Sequence, residues 1–325
     1  MGQQSRRCLL AVSVSILLLA CGTKSNSNTS PAHSAADFSV PVQSQFRFVV
    51  LGDTRFHDPS DTTPANPEVR HAMVAAIEKE QPALVSITGD LVYTGAEESD
   101  WKVWDTETAE WQQHRIPLYP ALGNHDLKGD QATALANYFA RFPHLAQNRY
   151  YSVHLSNCLM LVLDSSQEET SGPQGDWLQQ QLDHLSDSIA FVFVVLHHPP
   201  YTSSSDDKQS GGGHTARAKE EALAQFLEAR QQHLRARIVV FTGHVHNYEH
   251  HQHGGVDYIV TGGGGAHPYA IARKLTDLYQ SNEVNYHYLL VDVSPDKVVI
   301  TMNRLDLGGG RPIWSKPDLV TVKAH

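Results

Sequence analysis

Two histidines one residue apart, His244 and His246, are the strongest candidates for chemistry in this sequence. They follow the apolar run 237–241, which predicts a buried strand that ends at Gly243. Two imidazoles at the rigid end of a strand can face one side and bind a metal ion. An isolated pair of this kind can equally be two histidines in a surface loop. The rest of the chain has to decide between these interpretations.

Further polar residues stand at or just beyond the ends of other apolar runs. They are Asp53, Asp90, Asn124 and His197. In open α/β sheets, ligands bind beyond the carboxyl ends of the strands. Carboxylate and amide oxygens are hard ligands, and imidazoles suit Fe, Zn and Mn. Together with the histidine pair, these residues therefore predict a metal centre.

Strands and helices alternate along the chain, which would bring these residues to one edge of a sheet. Apolar runs predict strands at 46–51, 83–88, 117–122, 189–196, 237–241 and 256–261. Helical spacing predicts helices at 68–80, 131–141, 176–185 and 216–231, and two hairpins are predicted within 149–163 and 286–302. This order predicts an α/β fold (α+β layers) with two stacked mixed β-sheets flanked by helices.

Composition places the chain among ordinary globular proteins. It has 325 residues, of which 41% are hydrophobic and 18% are charged, enough for one large domain with a sizeable core. The net charge of −10 argues against nucleic acid as a partner, because such binding needs a basic surface. Beyond the N-terminal leader the only cysteine is Cys158, so no intramolecular disulfide is expected.

The N-terminus has the pattern of a secretory leader. A positive pair, Arg6-Arg7, precedes the apolar stretch 9–19, which is too short for a comfortable transmembrane helix and ends near Cys21. Leu18-Leu19-Ala20-Cys21 resembles the lipobox of bacterial lipoproteins, in which the cysteine becomes the lipidated first residue. The alternatives are an ordinary cleaved signal peptide with an incidental cysteine, or an uncleaved anchor.

This leader sets the predicted domain organisation. We expect a signal peptide at 1–20, a lipidated N-terminus with a flexible tether at 21–43, and a folded domain at 44–325. The tether is expected because 23–36 is rich in Ser, Asn, Thr, Pro and Ala, with almost nothing to bury. The predicted location is the bacterial cell envelope, facing the periplasm or exterior, with membrane contact through the N-terminal lipid only.

Taken in order, the polar motifs resemble those of the calcineurin-like metallophosphoesterase superfamily over 46–265. They are Gly52-Asp53, Gly89-Asp90, Gly123-Asn124-His125-Asp126, His197 and Gly243-His244-Val245-His246. The resemblance implies a four-layer sandwich fold. It also implies a dinuclear metal centre, at which metal-bound hydroxide hydrolyses a phosphate ester without a covalent phospho-enzyme.

Two positions point to one branch of that superfamily. Arg55 stands where many members have a histidine ligand, and Tyr93 follows Asp90 in the pattern Gly-Asp-x-x-Tyr. This pattern is similar to the purple acid phosphatase branch, in which a tyrosinate replaces that histidine. The sequence 247–249 after the histidine pair also resembles that branch. The alternative is that Tyr93 only packs under the second strand, with Arg55 or a water at the vacated metal position.

The resemblance assigns a role to each matching residue. It implies a first metal held by Asp53, Asp90, Tyr93 and His246, and a second held by Asp90, Asn124, His197 and His244, with Asp90 bridging. It implies iron paired with iron, zinc or manganese. His125 would contact the phosphate or the leaving group, and Asp126 would orient it. His214 is placed like a substrate-facing histidine.

Five further residues are less specific. Arg55 either binds phosphate oxygens or is a surface arginine near the site. His198 is interpreted as a structural neighbour of His197. The histidines 250, 251 and 253 are expected in a solvated loop.

We therefore expect a phosphatase that hydrolyses small phosphomonoesters. A phosphodiesterase acting on nucleotides or lipid head groups could use the same metal site. From a different class, the chain could be a non-catalytic envelope lipoprotein that binds a metal or ligand. His125 and Asp126 argue against that reading, because a pure metal binder does not require them.

Overall fold

The computed structural model of this chain describes residues 1–2, 35–205, 214–281, 283–309 and 311–325. The predicted lipidation site Cys21, the signal peptide from residue 3 onward and most of the tether lie outside the described residues. Within the described part, no helix has the length and apolar character needed to span a bilayer.

Fourteen strands and six α-helices make up the described part of the fold. The strands are β1 (Ala36–Ser39), β2 (Phe46–Leu51), β3 (Val85–Ile87), β4 (Leu118–Pro120), β5 (Tyr151–Leu155), β6 (Cys158–Val162), β7 (Phe191–Val195), β8 (Arg237–Thr242), β9 (Tyr248–His253), β10 (Val256–Thr261), β11 (Tyr286–Val293), β12 (Lys297–Gly308), β13 (Arg311–Ser315) and β14 (Leu319–Lys323). The helices are α1 (Pro67–Lys79), α2 (Glu98–Glu107), α3 (Ala109–Gln113), α4 (Gln131–Arg141), α5 (Gly172–Asp183) and α6 (Ala218–Gln231).

The strands form two mixed sheets, as the sequence predicts. The first sheet has the order β1-β5-β6-β7-β8-β10-β9, and the second has the order β13-β12-β11-β2-β3-β4, with β14 also paired to β12. The central strands β6, β7, β8 and β10 are parallel in the first sheet, as are β2, β3 and β4 in the second. Parallel pairing brings the carboxyl ends of these strands to one edge of each sheet.

The two sheets pack face to face through aromatic side chains. Phe48 of β2 lies with its ring centroid 5.1 Å from that of Phe193 on β7 and 6.4 Å from that of Phe241 on β8. On the other face of the first sheet, leucines of α5 and α6 such as Leu178 and Leu223 join a second apolar cluster. The helix α1 packs against β11 of the second sheet. The predicted layered sandwich with outer helices is confirmed.

The folded unit begins earlier than the predicted boundary at residue 44. The strand β1 lies inside the predicted tether and pairs in parallel with β5. Phe38 anchors it, because its ring contacts those of Tyr119 and Tyr151 at 5.7 and 5.6 Å. The polar composition before residue 36 hid this short strand, in which Phe38 and the small Ala36 pack against the core.

The expectation of a solvated loop for the histidines at 250, 251 and 253 is wrong. They lie on the edge strand β9, and His250 and His251 are buried. Each faces a carboxylate: His250 Nε2 lies 3.2 Å from Asp257, and His251 Nε2 lies 3.1 Å from Glu249. Because acidic partners compensate the buried imidazoles, this strand needs no apolar pattern, and its sequence does not reveal it.

A buried charged cluster lies at the start of α6. Glu169 and Glu220 are both fully buried, Lys219 Nζ lies 3.4 Å from Glu169 Oε1, and Arg217 pairs with Glu220. Burial, and then the neighbouring Glu220, raise the pKa of Glu169 to about 8 from an ordinary value of 4.5. The folded protein therefore holds a proton on Glu169 more tightly than the unfolded chain does.

This raised pKa predicts a stability that depends on pH. The stability gained from the protonated Glu169 is complete below pH 4.5 and is lost as the pH rises through about 8. Glu169→Gln stays neutral, so it should exceed the wild type at pH 9 by about 1–3 kcal/mol and match it near pH 4.5. Urea unfolding at both pH values measures this. The exposed Glu110→Gln is the control, and an equal difference at both pH values for Glu169→Gln would contradict the assignment.

Candidate metal centre

Six polar side chains from five strand ends converge at the edge where the parallel strands finish. Asp53 follows β2, Asp90 follows β3, Asn124 follows β4, His197 follows β7, and His244 and His246 follow β8. The sequence predicts this convergence, and contacts between these side chains, described below, link members of both sheets. Each side chain extends from the end of a buried strand, which makes a rigid support for the site.

The backbone around these residues is strained. Asp53, Arg55, Asp90 and His244 have φ angles of 58°, 46°, 55° and 69°, in the left-handed region that residues with a side chain rarely adopt. Each costs about 1–3 kcal/mol, and such residues cluster at functional sites. Main-chain hydrogen bonds hold the segment, because Asp53 N–H donates to Gly89 O at 3.0 Å and Arg55 N–H donates to Asp90 O at 2.9 Å.

Two glycines of the sequence motifs are explained by close approach. Gly89 has φ of 96°, and a Cβ there would lie 2.8 Å from His197 Nδ1. A Cβ at Gly243 would lie 2.5 Å from Asp53 Oδ2. Both distances are shorter than real contacts of a Cβ atom, so the motif glycines let backbone and ligand side chains pack together.

The first group, here called the His197 cluster, consists of Asp90, Asn124, His197 and His244. His197 Nε2 lies 2.9 Å from Asn124 Oδ1, 3.2 Å from His244 Nδ1 and 3.4 Å from Asp90 Oδ1. His197 Nδ1 lies 2.9 Å from Thr88 O, which can only accept, so Nδ1 carries the proton. Burial lowers the pKa of His197, so the ring is neutral and Nε2 presents a lone pair.

The His197 cluster therefore has more hydrogen-bond acceptors than donors. His197 Nε2 and Asn124 Oδ1 are acceptors 2.9 Å apart, and Asp90 Oδ1 is a third acceptor close by. Only His244 Nδ1, 3.1 Å from Asn124 Oδ1, can supply a proton to this contact from within the cluster. A metal ion would satisfy all four atoms, and imidazole, amide and carboxylate donors suit a transition metal. The residues present fit such an ion.

The second group, here called the Asp53–His246 pair, shows the same need. Asp53 Oδ1 and His246 Nε2 are buried, form no hydrogen bond within the described structure, and lie 3.6 Å apart. His246 Nδ1 lies 3.0 Å from His267 O, so Nδ1 carries the proton and Nε2 is a lone pair. Burial, and then Arg55, lower the pKa of His246 to about 3. Two orphaned acceptors that face each other fit a cation between them.

Asp90 lies between the two groups. Its Oδ1 accepts the N–H of His125 at 2.8 Å, whereas Oδ2 accepts Nε and Nη2 of Arg55 at 3.2 and 3.0 Å. Burial opposes ionisation of Asp90, but His197 and Arg55 bring its pKa below the usual range. Burial, and then the Asp90 charge, raise the pKa of Asp53 well above its ordinary value. The paired carboxylates thus favour added positive charge.

His125 and Tyr93 form a stacked pair beside Asp90. Their ring centroids are 5.2 Å apart, and His125 Nδ1 donates to the Tyr93 carbonyl at 2.7 Å. Lys128 Nζ lies 3.8 Å from the centroid of the Tyr93 ring, and the ring of His57 contacts its edge. Metal ligation by Tyr93 stays a prediction.

Asp126 does not orient the ring of His125, contrary to the expectation. Its buried carboxylate accepts main-chain N–H groups instead, from Asp90, Leu91, Val92 and Gly123 at 2.8 to 3.2 Å. A short acidic side chain beside His125 suggested a side-chain pair, but it turns inward to the strained turn of Asp90. Asp126 therefore shapes the loop that carries the bridging carboxylate.

Two further histidines lie against His244. The rings of His198 and His214 have centroids 4.3 and 4.2 Å from that of His244. His198 Nδ1 lies 2.8 Å from Ser165 Oγ. Ligand atoms of His197, His198 and His244 lie within 4.8 Å of one another, so His198 is a candidate ligand as well as a neighbour.

Some contributors carried no recognisable signal in the sequence. The carbonyls of Thr88 and His267 fix the protonation of two imidazoles, and Ser165 holds His198. Every residue has a main-chain carbonyl, so the residue type does not show which carbonyl acts as an acceptor. Arg55 was noted in the sequence, but its placement on Asp90, rather than at the surface, follows only from the coordinates.

The sequence matches a family described as calcineurin-like phosphoesterase over residues 46–248, more than half of the chain. A comparison with curated proteins finds no match. Several solved structures share the fold.

The chain is similar to purple acid phosphatase PPD1 from yellow lupin (Lupinus luteus) seeds, with a TM-score of 0.64 and 15% identity over 87% of this chain and 55% of that chain. It thus spans about half of the lupin protein. It is similar to GAP50, the anchor in the inner membrane complex of Plasmodium, with a TM-score of 0.61 and 17% identity over 86% and 88% of the two chains. A dimetal phosphatase from Danio rerio gives a TM-score of 0.51 and 13% identity over 86% and 99%.

The Asp126 contacts predict a large loss of stability on truncation. Asp126→Ala removes the acceptor of four buried N–H groups, each costing about 1–3 kcal/mol when unpaired, so we expect a loss of at least about 3 kcal/mol. Urea unfolding measures it. The control is Asp130→Ala at the exposed start of α4, which should cost about 1 kcal/mol. Unchanged stability with lost activity would instead support the ring-orienting role.

Proposed function

This chain belongs to the calcineurin-like phosphoesterase family, and we propose that it hydrolyses phosphomonoesters at a dinuclear metal centre. Membership of that family supports a metal-dependent hydrolase of phosphate esters. The observation that carries the proposal is the pair of acceptor groups joined by Asp90. The Asp53–His246 pair brings two lone pairs together in a buried place, and the His197 cluster brings lone pairs of the buried Asp90 and His197 against the exposed Asn124.

The ligand set follows from these two groups. Asp90, Asn124, His197 and His244 would hold one ion. Asp53 and His246 would hold the other together with Asp90, with Tyr93 as a further ligand. When bound, two such cations supply a nucleophile from water and stabilise the charge on the attacking and leaving oxygens. The fixed protons on His197 and His246 keep the opposite nitrogen of each ring free for ligation.

His125 is proposed to act on the substrate. Its Nδ1 is engaged by the Tyr93 carbonyl, so Nε2 is the atom that can pass a proton to the leaving oxygen or hydrogen-bond to the phosphate. The stacked Tyr93 ring fixes the plane of the imidazole. His214, beside His244, is proposed to face the same substrate, a small phosphorylated molecule.

The proposed metals are iron with iron, zinc or manganese. Two or more imidazoles and two carboxylates suit each of these ions. Tyr93 lies against His125 and beside the Asp90 loop, which supports iron at the Asp53–His246 pair. A hard trivalent ion best displaces the proton of a phenol.

Two alternatives use the same residues. A phosphodiesterase acting on nucleotides or lipid head groups would need the same metal centre. A non-catalytic binding protein is the alternative of another class, and the likeness to a Plasmodium anchor protein means that fold alone does not exclude it. His125 favours an enzyme, since a metal binder has no use for an imidazole held beside the bridging carboxylate.

We propose a bacterial cell-envelope location, with a lipid on Cys21. The apolar stretch 9–19 ends in the lipobox-like sequence at Cys21, and polar residues link it to the folded unit. A protein held in this way contacts the membrane through its lipid and meets substrates in the periplasm or outside the cell.

The function is tested with His125→Ala in the full chain. The variant keeps the proposed ligands, so metal content should be unchanged while kcat on an aryl phosphomonoester falls about 10²-fold or more. Phosphate release and metal analysis measure the two quantities. The exposed His233→Ala is the control and should match the wild type.

The substrate class is decided by release of the aryl alcohol, because hydrolysis of a diester leaves the phosphate on a monoester product. A higher kcat/KM for the aryl monoester than for the corresponding diester supports the proposal, and the reverse order favours the phosphodiesterase. Metal-loaded wild type that releases the aryl alcohol from neither substrate would leave only the binding protein.

The location is tested by mass spectrometry of the mature N-terminus. We expect a lipidated Cys21 as first residue, and Cys21→Ala should lack the lipid while the folded unit, which begins at β1, stays intact. An unmodified terminus at another residue would contradict the lipid anchor.

A further inference from the structure

Arg55 is the one charged side chain that the described structure places directly on the proposed bridging carboxylate. Its Nε and Nη2 both donate to Asp90 Oδ2, at 3.2 and 3.0 Å. The side chain is only 13% exposed, and its backbone is held because its N–H donates to Asp90 O at 2.9 Å. A forked, buried contact of this kind is a strong charge-assisted hydrogen bond.

The two oxygens of Asp90 therefore have different surroundings. Oδ1, which lies 3.4 Å from His197 Nε2, accepts only a neutral main-chain N–H, from His125. Oδ2 accepts two N–H groups of the Arg55 guanidinium, which is a cation. A cation that approaches Oδ1 meets no competing charge, whereas one that approaches Oδ2 meets Arg55.

The two metal positions differ because they use different oxygens of Asp90. The His197 cluster includes Asp90 Oδ1 and can be completed without moving Arg55. An ion between Asp53 and His246 that also uses Asp90 Oδ2 has to share that oxygen with a guanidinium or displace it. Two positive charges on one buried carboxylate oxygen repel each other strongly, because the surroundings screen them poorly.

We propose that Arg55 makes the two metal sites unequal, so that the His197 cluster binds its ion tightly and the Asp53–His246 pair binds the second ion weakly. Arg55 competes with the second ion for Asp90 Oδ2. This proposal rests on the dinuclear centre proposed above. It assigns Arg55 a role in setting metal affinity, distinct from contact with the substrate phosphate.

The test is a Zn²⁺ titration of the full chain after chelator treatment, followed by calorimetry with a competing chelator. The wild type should take up two ions in two phases whose Kd values differ by about 100-fold or more. Arg55→Ala should tighten the weak phase by about tenfold or more and leave the tight phase within about threefold. Alanine keeps a Cβ, so the strained backbone at φ 46° is matched in the two proteins.

The control separates this contact from the general field of nearby charges. Lys128→Met removes a positive charge that lies over the Tyr93 ring and makes no described contact with Asp90. Neither phase should move by more than about threefold. If Arg55→Ala does not fold, Arg55→Lys takes its place: it keeps the charge but loses the fork, and it should tighten the weak phase by a smaller factor while the thermal unfolding midpoint shows an intact fold.

Three results would overturn the proposal. They are two ions of equal affinity in the wild type, an equal shift of both phases in Arg55→Ala, and an unchanged weak phase in that variant. A weak phase that is too weak to detect in the wild type and appears in Arg55→Ala supports it. Phosphate release is a separate readout, so an inactive protein with unequal sites would reject the phosphatase proposal and leave this one standing.

Discussion

Two main-chain carbonyls fix the chemistry of the centre. The carbonyls of Thr88 and His267 each hold the proton of one imidazole, on His197 and His246, so the opposite nitrogen of each ring must be a lone pair. These lone pairs point at oxygens of the exposed Asn124 and the buried Asp53. Since acceptors that face each other are unfavourable, most of all at the buried Asp53, cations explain the arrangement, and the match to the calcineurin-like phosphoesterase family agrees with this.

The backbone is strained at the residues that present these atoms. Asp53, Asp90 and His244 have left-handed backbones at the ends of strands. The carboxylate of Asp126 secures the turn of Asp90 through four N–H groups, and the two packed sheets hold the strands from which the turns extend. The packed sheets therefore hold the ligand residues in their strained backbone conformations, as is usual at functional sites.

Much of this could be predicted from the sequence, because apolar runs identify buried strands and a glycine followed by a polar residue marks where each one ends. The convergence of Asp53, Asp90, Asn124 and His197 follows from parallel pairing of those strands. The contacts that a given side chain makes could not be predicted in this way. Asp126 and Arg55 have residue types that suit several roles, and only the positions of the N–H groups and of Asp90 decide between them.

Four strands, β1, β9, β13 and β14, escaped prediction, and for β9 and β1 the reason is related. In β9 the buried His250 and His251 are compensated by Asp257 and Glu249, so burial leaves no apolar pattern. In β1 the packing comes from Phe38 and the small Ala36, which are too few to give an apolar pattern. Secondary structure that is stabilised by contacts distant in sequence, rather than by its own periodicity, has to be read from the coordinates.

The most direct measurement is an anomalous X-ray difference map from crystals of the protein equilibrated with saturating Zn²⁺. Two peaks about 3.5–4 Å apart are expected, one within the His197 cluster and one between Asp53 and His246, with Asp90 contacting both. A map without a peak at either position, with His197 Nε2 still against Asn124 Oδ1, would contradict it. The lone pairs would then need another explanation.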